Sequence, residues 1–178
     1  TKPIPDKSGF LFRPGDIEAW EQPEDINIIL VHSWETSIHP IKSIDVPAHR
    51  VTFTAPLKEW WTVGYWEKEG RYYLENSQEF LDTPGEWFFD KTTGQLTYFP
   101  KLGERIEDTE VVAPMLPEFV RFAGDPEAGL FVEHLHLKGL SFQHADWTLS
   151  PEGNSNTQAA VGVPAVIMAD GARNCSLE

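Results

Sequence analysis

Apolar residues in this chain come in short runs, and proline, glycine or a polar turn cuts nearly every one. That texture predicts many short strands and few long helices. Between Asp25 and Pro114 the candidate strands are 26–31, 41–45, 50–54, 71–75, 86–90 and 95–99, separated by turns such as Ser37-Ile38-His39-Pro40 and Val46-Pro47-Ala48. The stretch 71–100 carries the densest signals. It reads as a strand, then a short helix capped by Asn76 with Glu79 reaching back to the capping amide, then a stop at Thr83-Pro84-Gly85. An aromatic hairpin follows, turning through Asp90-Lys91-Thr92-Thr93-Gly94 with Gly94 in the left-handed position.

Past Val111 the pattern changes to short alternating runs around Phe119, Val132, Ala165 and Asn174. Leu135 and Leu137 share one parity, and Leu140 and Phe142 the other, with Gly139 between them. Side chains alternate strictly along a strand, so a parity switch at glycine predicts a corner. Segments 119–142 and 165–178 also resemble each other: an apolar strand, a glycine-containing turn, a second alternating strand. That weak repetition predicts a β-solenoid, each coil burying its apolar face on the next. The polar stretch 147–162 reads as a loop inserted between coils. A solenoid needs a neighbour or a cap on its last turn, so the coil at Glu178 is expected to continue in a longer protein.

Composition narrows the partners. The 178 residues are 40% hydrophobic and 12% aromatic, which fits a folded core. A net charge of −14 disfavours nucleic acid and anionic membrane and is compatible with neutral ligands such as sugars, besides its plain effect on solubility. The single cysteine, Cys175, excludes an intrachain disulfide and any multi-cysteine metal site. No apolar run is long enough to suggest a membrane span. The start at Thr1, with neither initiator methionine nor signal peptide, points to a removed leader or a start inside a longer protein.

Several segments together carry a family resemblance. They are Gly9-Phe10-Leu11-Phe12-Arg13-Pro14-Gly15-Asp16, His32-Ser33-Trp34, Arg71-Tyr72-Tyr73-Leu74-Glu75-Asn76, Leu81-Asp82-Thr83-Pro84-Gly85-Glu86-Trp87, Gly94-Gln95-Leu96-Thr97-Tyr98-Phe99-Pro100 and 139–147. The chain resembles bacterial right-handed parallel β-helix proteins of the pectin-lyase-like superfamily that carry an inserted β domain. Among characterised groups it resembles family 141 of the glycoside hydrolases. The resemblance implies a mainly β fold: a lead-in segment 1–24, an antiparallel sheet or barrel-like inserted domain 25–114, and the first, incomplete coils of a right-handed parallel β-helix over 115–178. It also implies a secreted or periplasmic carbohydrate-active protein hydrolysing fucosyl or xylan-type linkages in plant or algal polysaccharide. The expected partners are a carbohydrate ligand and the rest of the chain's own β-helix, with no cofactor and no metal. The family's catalytic acids are expected on later coils, so no catalytic residue is assigned here and this stretch alone is expected to be inactive. Two other readings remain open: a non-catalytic carbohydrate-binding module, and a structural β-helix without ligand.

The substrate-binding candidates are His144, Asp146, Trp147, His32 and Trp34. In His144-Ala145-Asp146-Trp147, an imidazole and a carboxylate can bond sugar hydroxyls while the indole offers an apolar face; packing over the loop is the plainer alternative. His32 and Trp34 share the parity of Ile28 and Leu30, which predicts a buried, hydrogen-bonded histidine and a core tryptophan, with a ligand role as the alternative. His134 and His136 are expected to face outward and lack a third metal ligand. Trp60, Trp61, Tyr65 and Trp66 read as core or interface first and as a sugar-stacking platform second. No phosphate-binding glycine loop, nucleophile elbow or His-Glu-x-x-His motif occurs.

Overall fold

The structure is a computed structural model that describes residues 2–58 and 70–178, and it is mainly β. The aromatic cluster Trp60, Trp61, Tyr65 and Trp66 lies outside the described residues. Two compact units are present: Thr1–Thr109 with Leu149–Gly162, and Glu110–Thr148 with Val163–Glu178.

The first unit is built on strands β1 (Lys2–Pro3), β2 (Gly9–Leu11), β3 (Asn27–Val31), β4 (Thr36–Asp45), β5 (Arg50–Phe53) and β6 (Arg71–Glu75). They form one antiparallel sheet in the order β1-β2-β5-β4-β3-β6. β4 is ten residues long because it serves two partners: positions 36–40 pair with β3 and positions 41–45 with β5, with a register shift between Ile41 and Ser43. Such a bulge bends the strand and strengthens its twist. The turn expected at Ser37-Ile38-His39-Pro40 is therefore strand. Ile41 N donates to Ile26 O at 3.0 Å, which makes Asn27 and Pro40 a non-hydrogen-bonded pair, so the N–H that proline lacks is not needed there.

The sheet buries Phe10, Ile26, Ile28, Leu30, Ile41, Val51 and Phe53 in one cluster. Each such side chain gains ~1.5–3 kcal/mol by leaving water. The described ion pairs of this unit, Lys58–Glu152, Arg105–Glu107 and Arg105–Asp108, are exposed at both ends and belong to a class worth about 0–1 kcal/mol each, so they add little beside apolar burial.

The short helix after β6 is a single 3-10 turn, Gln78–Phe80, and its cap is Ser77 in place of Asn76. Asn76 takes a left-handed φ of 70° and its Nδ2 donates to Asp25 O at 2.6 Å. The capping signal is thus displaced by one residue, because a positive φ is incompatible with the extended cap geometry that Ser77 adopts. Glu79 contacts Ser77 Oγ and accepts from Glu21 N at 3.0 Å. The aromatic hairpin forms as expected, from β7 (Trp87–Asp90) and β8 (Gln95–Tyr98), with Gly94 at φ 71°. Asp90 Oδ1 and Oδ2 accept from Thr92 N, Thr93 N and Thr93 Oγ1, which holds its carboxyl below the usual range.

The second unit contains three parallel pairs. β9 (Val120–Ala123) pairs with β12 (Ile167–Asp170), β10 (Val132–Glu133) with β13 (Ala172–Arg173), and β11 (His136–Leu137) with β14 (Ser176–Leu177). The two similar segments seen in the sequence therefore lie side by side, strand on strand. Glycine is required at the first corner: a Cβ on Gly124 would stand 2.6 Å from Gly171 O and 2.9 Å from Leu130 O. A second corner falls at His134 and Asn174, both left-handed at φ 59° and 51° and both between the second and third pairs. Gly139, at φ 69°, makes the expected turn after β11. His134 and His136 are exposed, and His136 Nδ1 lies 2.9 Å from Ser176 Oγ across the ladder.

Candidate functional site: a polar cleft beside Trp34

β3 ends at Val31, and the chain turns back through Ser33 to Glu35, closed by His32 N donating to Glu35 O at 2.8 Å. The parity of Ile28 and Leu30 consequently does not continue to Trp34. Trp34 is 51% exposed, not core, because the strand has already given way to the turn. Its indole N–H donates to Thr157 O at 3.0 Å.

The segment Leu149–Gly162 packs on the same unit and covers the edge of β4 that β5 leaves open. Ile38 N donates to Asn154 O and Asn154 N to Ile38 O, both at 2.8 Å. This pairing explains Gly153: at φ 82° it takes a left-handed turn, and a Cβ there would meet Ile38 O at 2.4 Å. Thr54 Oγ1 donates to Pro151 O at 2.6 Å and anchors the segment's start.

Turn and segment together enclose an open cleft of about 490 Å³, lined by residues 32–36 and by Asn154, Asn156, Ala159 and Ala160. Asn156 is held on both sides of its amide: Oδ1 accepts from Gly162 N at 2.9 Å, and Nδ2 donates to Asn154 Oδ1 at 3.3 Å.

Behind the cleft the sheet interior holds two polar side chains. Ser37 is fully buried and His39 is 3% exposed, both on the inward parity of β4 that they share with Ile41. Ser37 Oγ lies 2.7 Å from His32 Nε2 and 2.8 Å from His39 Nε2. His39 stacks on Phe53, with ring centroids 4.7 Å apart. Burial, with a smaller contribution from His32, lowers the pKa of His39 to about 4, so it is neutral at pH 7. Sequence reading passed over both residues, having placed them in a turn. The signal available was the alternation Ser37, His39, Ile41, whose inward positions are polar twice and apolar once.

His144, Asp146 and Trp147 belong to the second unit. His144 is exposed with φ 58°, Asp146 is half-buried with its N–H donating to Leu116 O at 3.0 Å, and Trp147 is exposed. The structure thus brings His32 and Trp34 into one cleft and keeps the other three candidates on a separate unit. Among the described residues, no group of three or more His, Cys, Asp or Glu side chains is placed to hold a metal. No helix among them is long and apolar enough to cross a membrane.

Residues 14–101 match the family model of the GH141 insertion domain. The GH141-like stretch contains β3 to β8, the turn bearing His32 and Trp34, and the buried pair Ser37 and His39. It does not include Asn154 and Asn156, nor the second unit. A solved structure described as a glycoside hydrolase shares the fold, with a TM-score of 0.58 over 71% of this chain at 20% sequence identity. The chain spans 23% of that protein's length. No curated protein matches the chain. The family match relates residues 14–101 to that insertion domain, and the solved structure bears on the fold alone.

Proposed function

We propose that this chain works within a secreted or periplasmic glycoside hydrolase acting on plant or algal polysaccharide, at fucosyl or xylan-type linkages. The observation that carries the reading is the GH141 insertion-domain match over residues 14–101. The three parallel pairs that follow support a right-handed β-helix beginning in the second unit. In this reading the chain supplies glycan contacts and not the acid-base pair. Glycoside hydrolysis needs two carboxyl groups about 5–5.5 Å or 6.5–9.5 Å apart, and Glu35 is the one carboxylate among the described residues lining the cleft beside Trp34. The same observation favours the second reading, a non-catalytic carbohydrate-binding module.

Affinity electrophoresis of the 178-residue chain through gels containing arabinoxylan or a fucosylated algal polysaccharide tests this, with a reducing-sugar assay alongside. The expected result is retardation without sugar release. Migration unchanged in every polysaccharide overturns the carbohydrate assignment. Release of reducing sugar overturns the division of labour.

A further inference from the structure

The cleft beside Trp34 has a chemical character specific enough to name its ligand class. Its volume of about 490 Å³ lies within the ~300–1,000 Å³ typical of small-ligand sites. Its aromatic wall is fixed: Trp34 has committed its N–H to Thr157 O and still exposes half of its surface, so what it presents to a ligand is ring area. A flat, orientated indole suits the apolar C–H face of a pyranose ring.

The polar groups opposite are neutral amides. Asn156 is locked by Gly162 and Asn154, so its position does not have to be ordered on binding. Asn154 Oδ1 accepts from Asn156, and its Nδ2 donates to no group among the described residues, so it has a hydrogen bond to offer. His32 is tethered through Nε2 to Ser37, which is itself fixed by His39. Neutral donors and acceptors held in place around one aromatic face read hydroxyl groups.

Charge disfavours the acidic sugars. Among the described residues lining the cleft there is no lysine or arginine, and the chain carries a net charge of −14. That net negative charge disfavours a uronate or sulfate there.

We infer that the cleft formed by His32, Trp34, Asn154 and Asn156 is a binding subsite for a neutral pyranose unit of a polysaccharide. Trp34 stacks on the ring, and the two asparagines and His32 bond its hydroxyls. The inference rests on the carbohydrate reading proposed above and adds where the sugar sits and which sugars are refused.

The test is NMR titration of the 178-residue chain with xylohexaose, laminarihexaose, mannohexaose and hexagalacturonate. At least one neutral hexamer is expected to shift the Trp34 indole N–H and the Asn154 side-chain amide, while hexagalacturonate leaves both unmoved. Trp34→Ala is expected to weaken binding about tenfold, the loss of one stacking contact. Asn154→Asp keeps the shape and the backbone pairing with Ile38 and adds a negative charge. It is expected to weaken binding about fivefold with the rest of the spectrum unchanged, which guards against a folding artefact. Equal binding of hexagalacturonate overturns the neutral assignment. Binding that survives Trp34→Ala but is lost in Trp147→Ala overturns the subsite and leaves the carbohydrate reading standing. If no hexamer binds and no polysaccharide gel retards the chain, both fail together.

Discussion

His32 and His39 share one hydroxyl, with their Nε2 atoms 2.7 Å and 2.8 Å from the oxygen of Ser37. A hydroxyl has one proton to give, so it donates to one imidazole and accepts an N–H from the other. Two neutral histidines can satisfy the arrangement only as opposite tautomers at Nε2. The string joins the sheet interior, at His39, to the rim of the cleft, at His32.

That geometry predicts an acid-sensitive fold. The pKa of His39 falls from 6.5 unfolded to about 4 folded, chiefly by burial. The unfolded chain therefore takes up this proton first as pH drops. The stability contribution is complete above about pH 6.5 and is lost progressively toward pH 4, by an amount on the order of 3 kcal/mol. Urea unfolding at pH 7 and pH 4 should show the loss in the native chain. His39→Gln should show a distinctly shallower pH dependence, whatever its own stability at pH 7.

Gly153 is expected to be intolerant of substitution. Gly153→Ala places a methyl 2.4 Å from Ile38 O at a left-handed φ, against backbone on both counts. The cost should be about 2–4 kcal/mol, with faster amide exchange at Ile38 and Asn154, whose mutual hydrogen bonds depend on the approach. Normal exchange at both amides in the variant would disprove the role given to this glycine.

Gly94 provides the contrast. It has a similar φ of 71°, but an added Cβ meets nothing within 4 Å. Gly94→Ala should cost only the backbone strain, about 1 kcal/mol, read as a small shift in thermal midpoint.

In the second unit, Gly124→Ala should separate the parallel pairs locally. The methyl would press on Gly171 O, Leu130 O and Asp170 O, all backbone. Hydrogen exchange should accelerate at Gly124 N, which donates to Asp170 O at 2.8 Å, while the amides of β3 and β4 in the first unit keep their protection.

Local chemistry was legible in the sequence wherever a few neighbouring residues decide the outcome. The turn at Thr83-Pro84-Gly85, the hairpin closed by Gly94 and the kinship of 119–142 with 165–178 all follow from proline, glycine and period-two alternation. Asn76 and Ser77 mark the resolution limit of such reading. Both are capping residue types, and only the backbone angle at each tells which one caps.

The cleft was not legible because it is made by residues more than a hundred positions apart. Trp34 reaches Thr157, and Ile38 pairs with Asn154, through contacts that no local pattern encodes. The inward histidine and serine of β4 were hidden for a related reason: Pro40 signals a turn until β3 and β5 are both present to share the strand on either side of it. The chain alone established a β-rich protein with two similar segments, 119–142 and 165–178. Long-range pairing chose which of its tryptophans and histidines share a cleft, because side-chain convergence depends on strand partners and not on spacing.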